Sequence, residues 1–443
     1  MARFRLPFLG VKGCLENYFD LRGRNSTISK ELRGAVGTFL SLSYIFFLIP
    51  AILKTAGFDG SRVFASTLFI SSLMTIVCGL WARLPFSLAP GLEMALYLSL
   101  VAIPSFGLSP YEALAAVSIA GTLMCSIGSK RIKSVLIDAV PHHFLYAVAV
   151  TMAAFLFSAA MHLAGVTNYS LGYVQLTNRY GDVLFWGLVG CAIVMICEGL
   201  RLKASVLLSC ILIGVVTSQR TPASTTTAPA IEHGLWVVKN ITPHLGLGDY
   251  RGIVSIGGIQ TVFVLFIMSS YGSLSKIVNL TKDTTIQATQ GAIPRLRKLL
   301  LIDGIAGALS GIMGTSSATT FVESGIGIAE GSRTGLSSIV VGILMLAALW
   351  LEPLVRLISN ASIVGALMFV GVLLIPKKNL ITGFCHAERV TVAVMLLITC
   401  FTLSLSAAFA VGIIGFYIAR VIARRSTNTL LPSSAQGGGS EGT

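Results

Sequence analysis

The sequence predicts an all-α polytopic membrane protein, and three observations carry that reading. Of its 443 residues, 54% are hydrophobic and only 11% charged, with mean hydropathy +0.83; a soluble chain carries roughly 25% charged residues to cover its surface. Stretches such as "RVFASTLFISSLMTIVCGLW" and "GILMLAALWLEPLVRLI" have the length and apolarity to cross a bilayer. The net charge of +14 is dispersed in short clusters between apolar segments: Lys130, Arg131 and Lys133; Arg201 and Lys203; Arg295, Arg297 and Lys298; Arg420, Arg424 and Arg425. That is the pattern of the positive-inside rule.

Taken in order, the chain predicts a polar, basic cytosolic segment over 1–33 and a first membrane repeat over 34–218. A polar linker on the external side follows over 219–251, then a second repeat over 252–423 and a Gly/Ser-rich tail without fixed structure over 424–443. No cleavable signal peptide is visible, so the first span is expected to serve as the targeting signal. About fourteen membrane segments are counted, seven in each repeat. A repeat with an odd number of spans re-enters with opposite orientation, so the two halves are expected to form an inverted pair. Alternating the loops places roughly 25 of the 32 Lys and Arg residues on the side of both termini, which are expected to be cytosolic.

In each half the third segment is short and interrupted: "LPFSLAPGLEMALYLSL" (84–100) and "MGTSSATTFVESGIGIAEG" (313–331). Pro85 and Pro90 remove donors from the first; Thr319 and Thr320, followed by Gly325 and Gly327, disfavour a continuous helix in the second. Each is read as a short extended strand leading into a half-length helix. Non-helical backbone at membrane depth is tolerated only inside protein or along a cavity. Paired interruptions in corresponding positions point to a transporter's binding site.

Two acidic residues stand near these strand-to-helix junctions, Glu93 and Glu323, and the inverted symmetry is expected to bring them toward one centre. An ionisable residue at that depth costs at least about 2.5–3.5 kcal/mol on insertion scales. Burial and the dipole of the half-helix act on it in opposite directions, so a carboxylate there suits reversible proton binding. The plainer reading of Glu323 is a cap on its half-helix, and that of Glu93 a place at an aqueous vestibule. Asp303, in "LLLIDGIAGALSG", is read either as a second proton site or as a packed helix–helix hydrogen bond; Gly304, Gly307, Ala308, Ser310 and Gly311 around it indicate close packing.

His142 and His143 follow Pro141 in what reads as an amphipathic, interfacial connector. The sequons at Asn168 and Asn240 are expected on external loops. The cysteines, with no CxxC pair, read as small packed hydrophobes. There is no P-loop, no Ser/His/Asp constellation and no metal-ligand cluster in the sequence. An enzyme, a cofactor or an ATP-driven motor therefore has nothing to rest on. With no basic face carrying interleaved aromatics, a nucleic-acid partner is not expected either.

The blocks "GTFLSLSYIFFLIPAIL" (37–53), "LAPGLEMALYL" (88–98), "GTSSATTFVESGIGIAEGSRTGLSSIVVGIL" (314–344) and "ALMFVGVLL" (366–374) resemble the azaguanine-type purine permeases, a branch of the nucleobase–cation symporters. The likeness runs from about residue 30 to 425, and the Thr-x-x-x-Glu-Ser core of the third block is its most specific part. The resemblance implies a seven-plus-seven inverted repeat divided into core and gate domains, with the site between the strands of segments three and ten. It further implies proton-coupled import of adenine, guanine or hypoxanthine by a homodimer with an elevator-like movement; the plasma membrane is the expected location. Glu323 matches the family's substrate-contacting glutamate. Its neighbours Val322 and Ser324, with Tyr44, Glu93, Ala95, Gly272 and Ser273, make up the expected substrate site, backbone groups of Ala95 and Val322 serving as strand edges. Glu323, Glu93 and Asp303 are the expected proton-coupling residues.

The chain departs from the family at several of these positions. Ala95 stands where Asn is usual, Glu93 where Gly is usual, and Ile49-Pro50 where Asn-Pro is usual. In the eighth segment "YGSLSK" (271–276) replaces Phe-Asp-x-x-Gly-Thr, so Gly272 takes the place of the family's Asp and Lys276 that of its Thr. Each lost polar contact costs about 1–3 kcal/mol of affinity. Two other readings stay open: a same-fold carrier of a different solute or anion, and a transport-inactive receptor or scaffold.

Overall fold

The computed structural model describes residues 13, 16–127, 142–170, 173–177, 181–218, 250–281, 292–375 and 384–429. The sequon at Asn240, nearly all of the expected linker and the tail beyond residue 429 lie outside them. Helices α1 (Ile28–Leu42) and α2 (Tyr44–Thr55) meet at Ser43, and α3 (Gly60–Val77) follows. The first interrupted segment is strand β1 (Leu88–Pro90) and helix α4 (Leu92–Tyr97), continued as π-helix to Ala102 and as a last α-turn to Phe106. Helices α5 (Pro110–Ile127) and α6 (His142–Leu163), the hairpin β2 (Thr167–Ser170) and β3 (Tyr173–Leu176), and helices α7 (Asp182–Gly199) and α8 (Ser205–Ser218) complete the first half. The second contains α9 (Ile256–Thr281), α10 (Ala292–Met313), strand β4 (Ala318–Thr320) with helix α11 (Ser324–Ala329), then α12 (Gly335–Ala347), α13 (Asn360–Leu374), α14 (His386–Thr402) and α15 (Leu405–Thr429).

Six helical stretches among the described residues are long and apolar enough to span a bilayer, including Ile28–Thr55, Gly60–Ala82 and Ile256–Ile277. Their outer faces are apolar too: Phe185, Met195 and Ile196 on α7 and Ile414 and Tyr417 on α15 are more than half exposed. An apolar exterior over a packed interior is what hydrocarbon, rather than water, requires. The chain is an integral membrane protein.

The strand-to-helix reading of both interrupted segments matches the structure. β1 and β4 pair antiparallel, with Leu88 opposite Thr320, Ala89 opposite Thr319 and Pro90 opposite Ala318. The Gly91 N–H donates to Ser317 O and the Phe321 N–H to Ser87 O, each at 3.0 Å. Several other backbone groups of the interrupted segments are met by hydroxyls from helices around them. Thr75 on α3 accepts from the Leu88 N–H at 3.0 Å, Ser310 on α10 from Ala318 N–H at 3.2 Å, and Ser324 from Ser87 N–H at 2.9 Å. Ser338 on α12 donates to Leu84 O and Phe86 O at 2.8 and 2.9 Å. Each unsatisfied group would cost several kcal/mol away from water, which explains single Ser and Thr residues inside otherwise apolar helices.

The small residues around Asp303 do pack closely, against α5. A Cβ at Gly121 would lie 2.1 Å from Ala308 N, and one at Gly304 would lie 2.5 Å from Cys125 N. Only glycine permits that approach. Arg24, ahead of α1, ties the ends of both arms together by donating to Arg83 O at 2.6 Å and Arg333 O at 3.2 Å. Burial, reinforced by Arg295, lowers its guanidinium pKa to about 10.

Three sequence expectations are corrected here. His142 and His143 open α6 rather than lie in a connector, and the His143 Nδ1 meets Glu388 Oε2 on α14 at 2.8 Å, fixing one helix start to another. Asn168 lies on a strand of the β2–β3 hairpin, not in an open loop, because Thr167–Ser170 finds a partner in Tyr173–Leu176. The helix expected to begin near residue 34 begins at Ile28, capped by Thr27, whose side chain accepts from Lys30 N–H.

Candidate functional site

The two arms place their glutamates in different surroundings. Glu323 sits at the turn before α11, 7% exposed, and makes no side-chain bond to the helix start. The capping alternative therefore has no support in the geometry. Instead Tyr44, at the first position of α2 and 2% exposed, donates its hydroxyl to Glu323 Oε1 at 2.6 Å. That short contact joins α2 to the turn before α11, and a donor to a carboxylate makes the stronger class of hydrogen bond.

Glu93, in the first turn of α4, is bound by Lys276 from α9: Nζ donates to Oε1 at 3.1 Å. The pair's side chains are 5% and 8% exposed. Lys276 also lies over the Phe321 ring, 5.2 Å from its centroid, a contact that adds favourably to a desolvated cation. Sequence reading noted Lys276 only as a departure. The signal that could have found its role is a lone lysine within a long apolar helix, which must have a buried partner.

A cavity of about 670 Å³ reaches Tyr44, Val322 and Glu323. Leu280 and Phe369 give it apolar walls, and Glu198, Arg201, Lys203 and Glu330 surround it with charge; Lys203 and Glu330 form an ion pair. None of these four charged residues was anticipated at the site, because they lie at helix ends that read simply as interfacial.

Of the expected substrate residues, then, Tyr44, Val322 and Glu323 line the cavity, while Glu93, Ala95, Gly272, Ser273 and Ser324 do not. The reasons are local. Ala95 is inside α4 with its N–H donated to Gly91 O, so it offers no strand edge. A side chain at Gly272 would point toward Met152 of α6, with Cε 3.4 Å from an added Cβ. Ser324 spends its hydroxyl on Ser87 N–H. Ser273 is fully buried near Asp303. Asp303, expected either as a proton site or in a helix–helix bond, is bound by strand β4: Thr320 Oγ1 is 2.9 and 3.0 Å from its two oxygens. Glu93, expected to couple protons, is held in an ion pair.

Strand β4 and the turn after it thus make three side-chain contacts in four residues: Thr320 to Asp303, Phe321 to Lys276 and Glu323 to Tyr44. Among the described residues there is no cluster of His, Cys, Asp and Glu able to hold a metal ion. The chemistry that Tyr44 and Glu323 bring to the cavity is that of a phenol and a carboxylate, beside the apolar Leu280 and Phe369. It suits reversible hydrogen bonding to a planar polar solute.

The transmembrane domain of the cyanobacterial bicarbonate transporter BicA has the same fold, with a TM-score of 0.61 at 14% identity over 87% of this chain and 97% of that one. In sequence the chain is similar to the adenine permease AdeP of Escherichia coli, 27% identical over 416 residues covering 93% of this chain and 91% of that protein. It is also similar to the guanine/hypoxanthine permease PbuO of Bacillus subtilis, 25% identical over 411 residues covering 91% and 94%. The model of the permease family matches residues 29–415. With that match spanning both arms, the cavity and nearly every helix, the chain belongs to the permease family.

Proposed function

We propose that this permease is a secondary-active transporter of purine-like nucleobases, coupled to protons and working by alternating access. The observation that carries the reading is Glu323: a buried carboxylate bonded to Tyr44 and lining a cavity of about 670 Å³, within the ~300–1,000 Å³ usual for small-molecule sites. A purine presents donors and acceptors side by side around its ring, and a carboxylate or its protonated form pairs with them. The similarity to adenine and guanine/hypoxanthine permeases supports that cargo class. A proton exchanged at Glu323 would change which edge the site accepts, and this links cargo to proton.

Arg201 and Lys203 beside the cavity support an opening on the cytosolic side, the side of both termini. The fold likeness supports fourteen segments in a seven-plus-seven inverted repeat, with a core carrying both arms and a gate against which it moves. A homodimer in the plasma membrane is the natural assembly for such a movement. The test is thermal unfolding of the purified protein with adenine, guanine, hypoxanthine, nucleosides and bicarbonate, followed by uptake into proteoliposomes with an imposed proton gradient. A selective shift with a nucleobase, gradient-driven uptake, and loss of both in Glu323→Gln are expected. A shift with bicarbonate alone, or nucleobase uptake unaffected in Glu323→Gln, would overturn the assignment.

A further inference from the structure

We propose that Lys276 is a fixed counter-cation: its ammonium fills, as part of the chain, the place beside Glu93 that a cation from solution would otherwise have to occupy. The inference rests on the transport reading above. It follows that Glu93 takes up no coupling ion, and that of the two arm glutamates only Glu323 is open to one.

The geometry points this way on three counts. First, the Nζ to Oε1 distance is 3.1 Å and both side chains are buried, and Glu93 is not among the residues that line the cavity. Second, the ammonium is held from another side by the face of Phe321, at 5.2 Å, which comes from the opposite arm. Lys276 therefore bridges the two arms, where a bound cation would serve both. Third, the other groups around it are already engaged. Glu323 on the second arm is bonded to Tyr44 of α2, and Asp303 of α10 is bonded to Thr320. Lys276 and Glu93 are both near enough to Glu323 to bear on its charge. Among the titratable groups facing this centre from α2, α4, α9, α10 and the second arm, Lys276 is the cation and Tyr44, Glu93, Asp303 and Glu323 are the acids.

A tethered cation neutralises Glu93 without being bound from one side of the membrane and released on the other. It contributes no driving force, in contrast to a carried ion, whose mass action stabilises the state that binds it. Removing the tether should hand the task back to solution.

The experiment uses the full chain, purified, in four forms: wild type, Lys276→Met, Glu93→Gln, and Lys276→Met combined with Glu93→Gln. Unfolding temperature and adenine affinity are measured at about pH 6 and about pH 8, with sodium chloride or choline chloride; one proton taken up changes affinity by at most about tenfold per pH unit. Lys276→Met should gain, in both readouts, a dependence on sodium or a dependence on low pH steeper than that of wild type, and the double variant should return to the wild-type dependence. A Lys276→Met variant whose sodium and pH dependence equals that of wild type overturns the proposal, as does a wild-type sodium dependence that Glu93→Gln abolishes. If wild type binds no nucleobase, the transport reading falls while unfolding temperature still decides the role of Lys276. Should Lys276→Met yield no folded protein at about pH 8, recovery at about pH 6 or in sodium upholds the proposal, and failure in every condition overturns it.

Discussion

The two interrupted arms are alike in local construction and opposite in what surrounds their glutamates. Each has a three-residue strand, each leads into a helix, and the two strands hydrogen-bond to one another. Yet Glu93 is closed off by an ammonium from α9, whereas Glu323 meets a neutral hydroxyl from α2 and lines the cavity. An ammonium gives its carboxylate a fixed charge partner; a phenol offers a neutral hydroxyl that can donate to a carboxylate or accept from a carboxylic acid. The comparison teaches that the single residue a neighbouring helix presents decides whether an arm's glutamate is held in an ion pair or bonded to a neutral hydroxyl beside the cavity.

The largest break in that comparison is at Lys276. Replacing it by Met leaves a buried carboxylate without its partner, and losing one member of a buried ion pair costs about 3–5 kcal/mol. Thermal unfolding at neutral pH should show the deficit, with most of it recovered when Glu93→Gln is added. Next comes Glu323→Gln, which keeps the shape and still accepts from Tyr44 but cannot ionise. Cargo affinity, followed by ligand-induced stabilisation, should fall by about tenfold to a hundredfold, the size of a charge-assisted hydrogen bond of about 1.5–3 kcal/mol.

Tyr44→Phe sharpens the comparison by removing the hydroxyl while leaving the ring. Affinity should weaken by about 1–2 kcal/mol, and the pH profile of transport should move, since Glu323 loses its donor. An unchanged profile would mean that Tyr44 acts only in packing. The smallest effect belongs to Ser324→Ala, adjacent to Glu323 but turned toward the strands. It should cost stability by about 1 kcal/mol through the orphaned Ser87 N–H, with affinity unaltered. Reduced affinity there without reduced stability would return Ser324 to the cargo site.

Much of this was legible in the sequence because the membrane imposes strong rules. Pro85, Pro90, Thr319 and Thr320 announced the strands, since a helix across that depth could not have kept its donors paired through them. Glu323 stood out because burying a carboxylate is expensive, and Tyr44 came with the family resemblance. What could not be read were pairings across long sequence distance. Lys276 is 183 positions from Glu93, and no local pattern links them. Ser324 and Ser273 were expected at the site because they neighbour site residues, but side-chain direction, not proximity along the chain, decides which cavity a residue enters.

By itself, then, the sequence determined the solvent and the local breaks. Composition requires a bilayer, and prolines, β-branched residues and glycines require interruption at two corresponding points. The partners were decided only by the tertiary structure: which helix brings Tyr44 to Glu323, which brings Lys276 to Glu93, and which hydroxyls satisfy the opened backbone. The physical reason is that apolarity and dihedral preference act over a few residues, while a buried charge or an unpaired donor is satisfied by whatever group the folded chain places within about 3 Å of it.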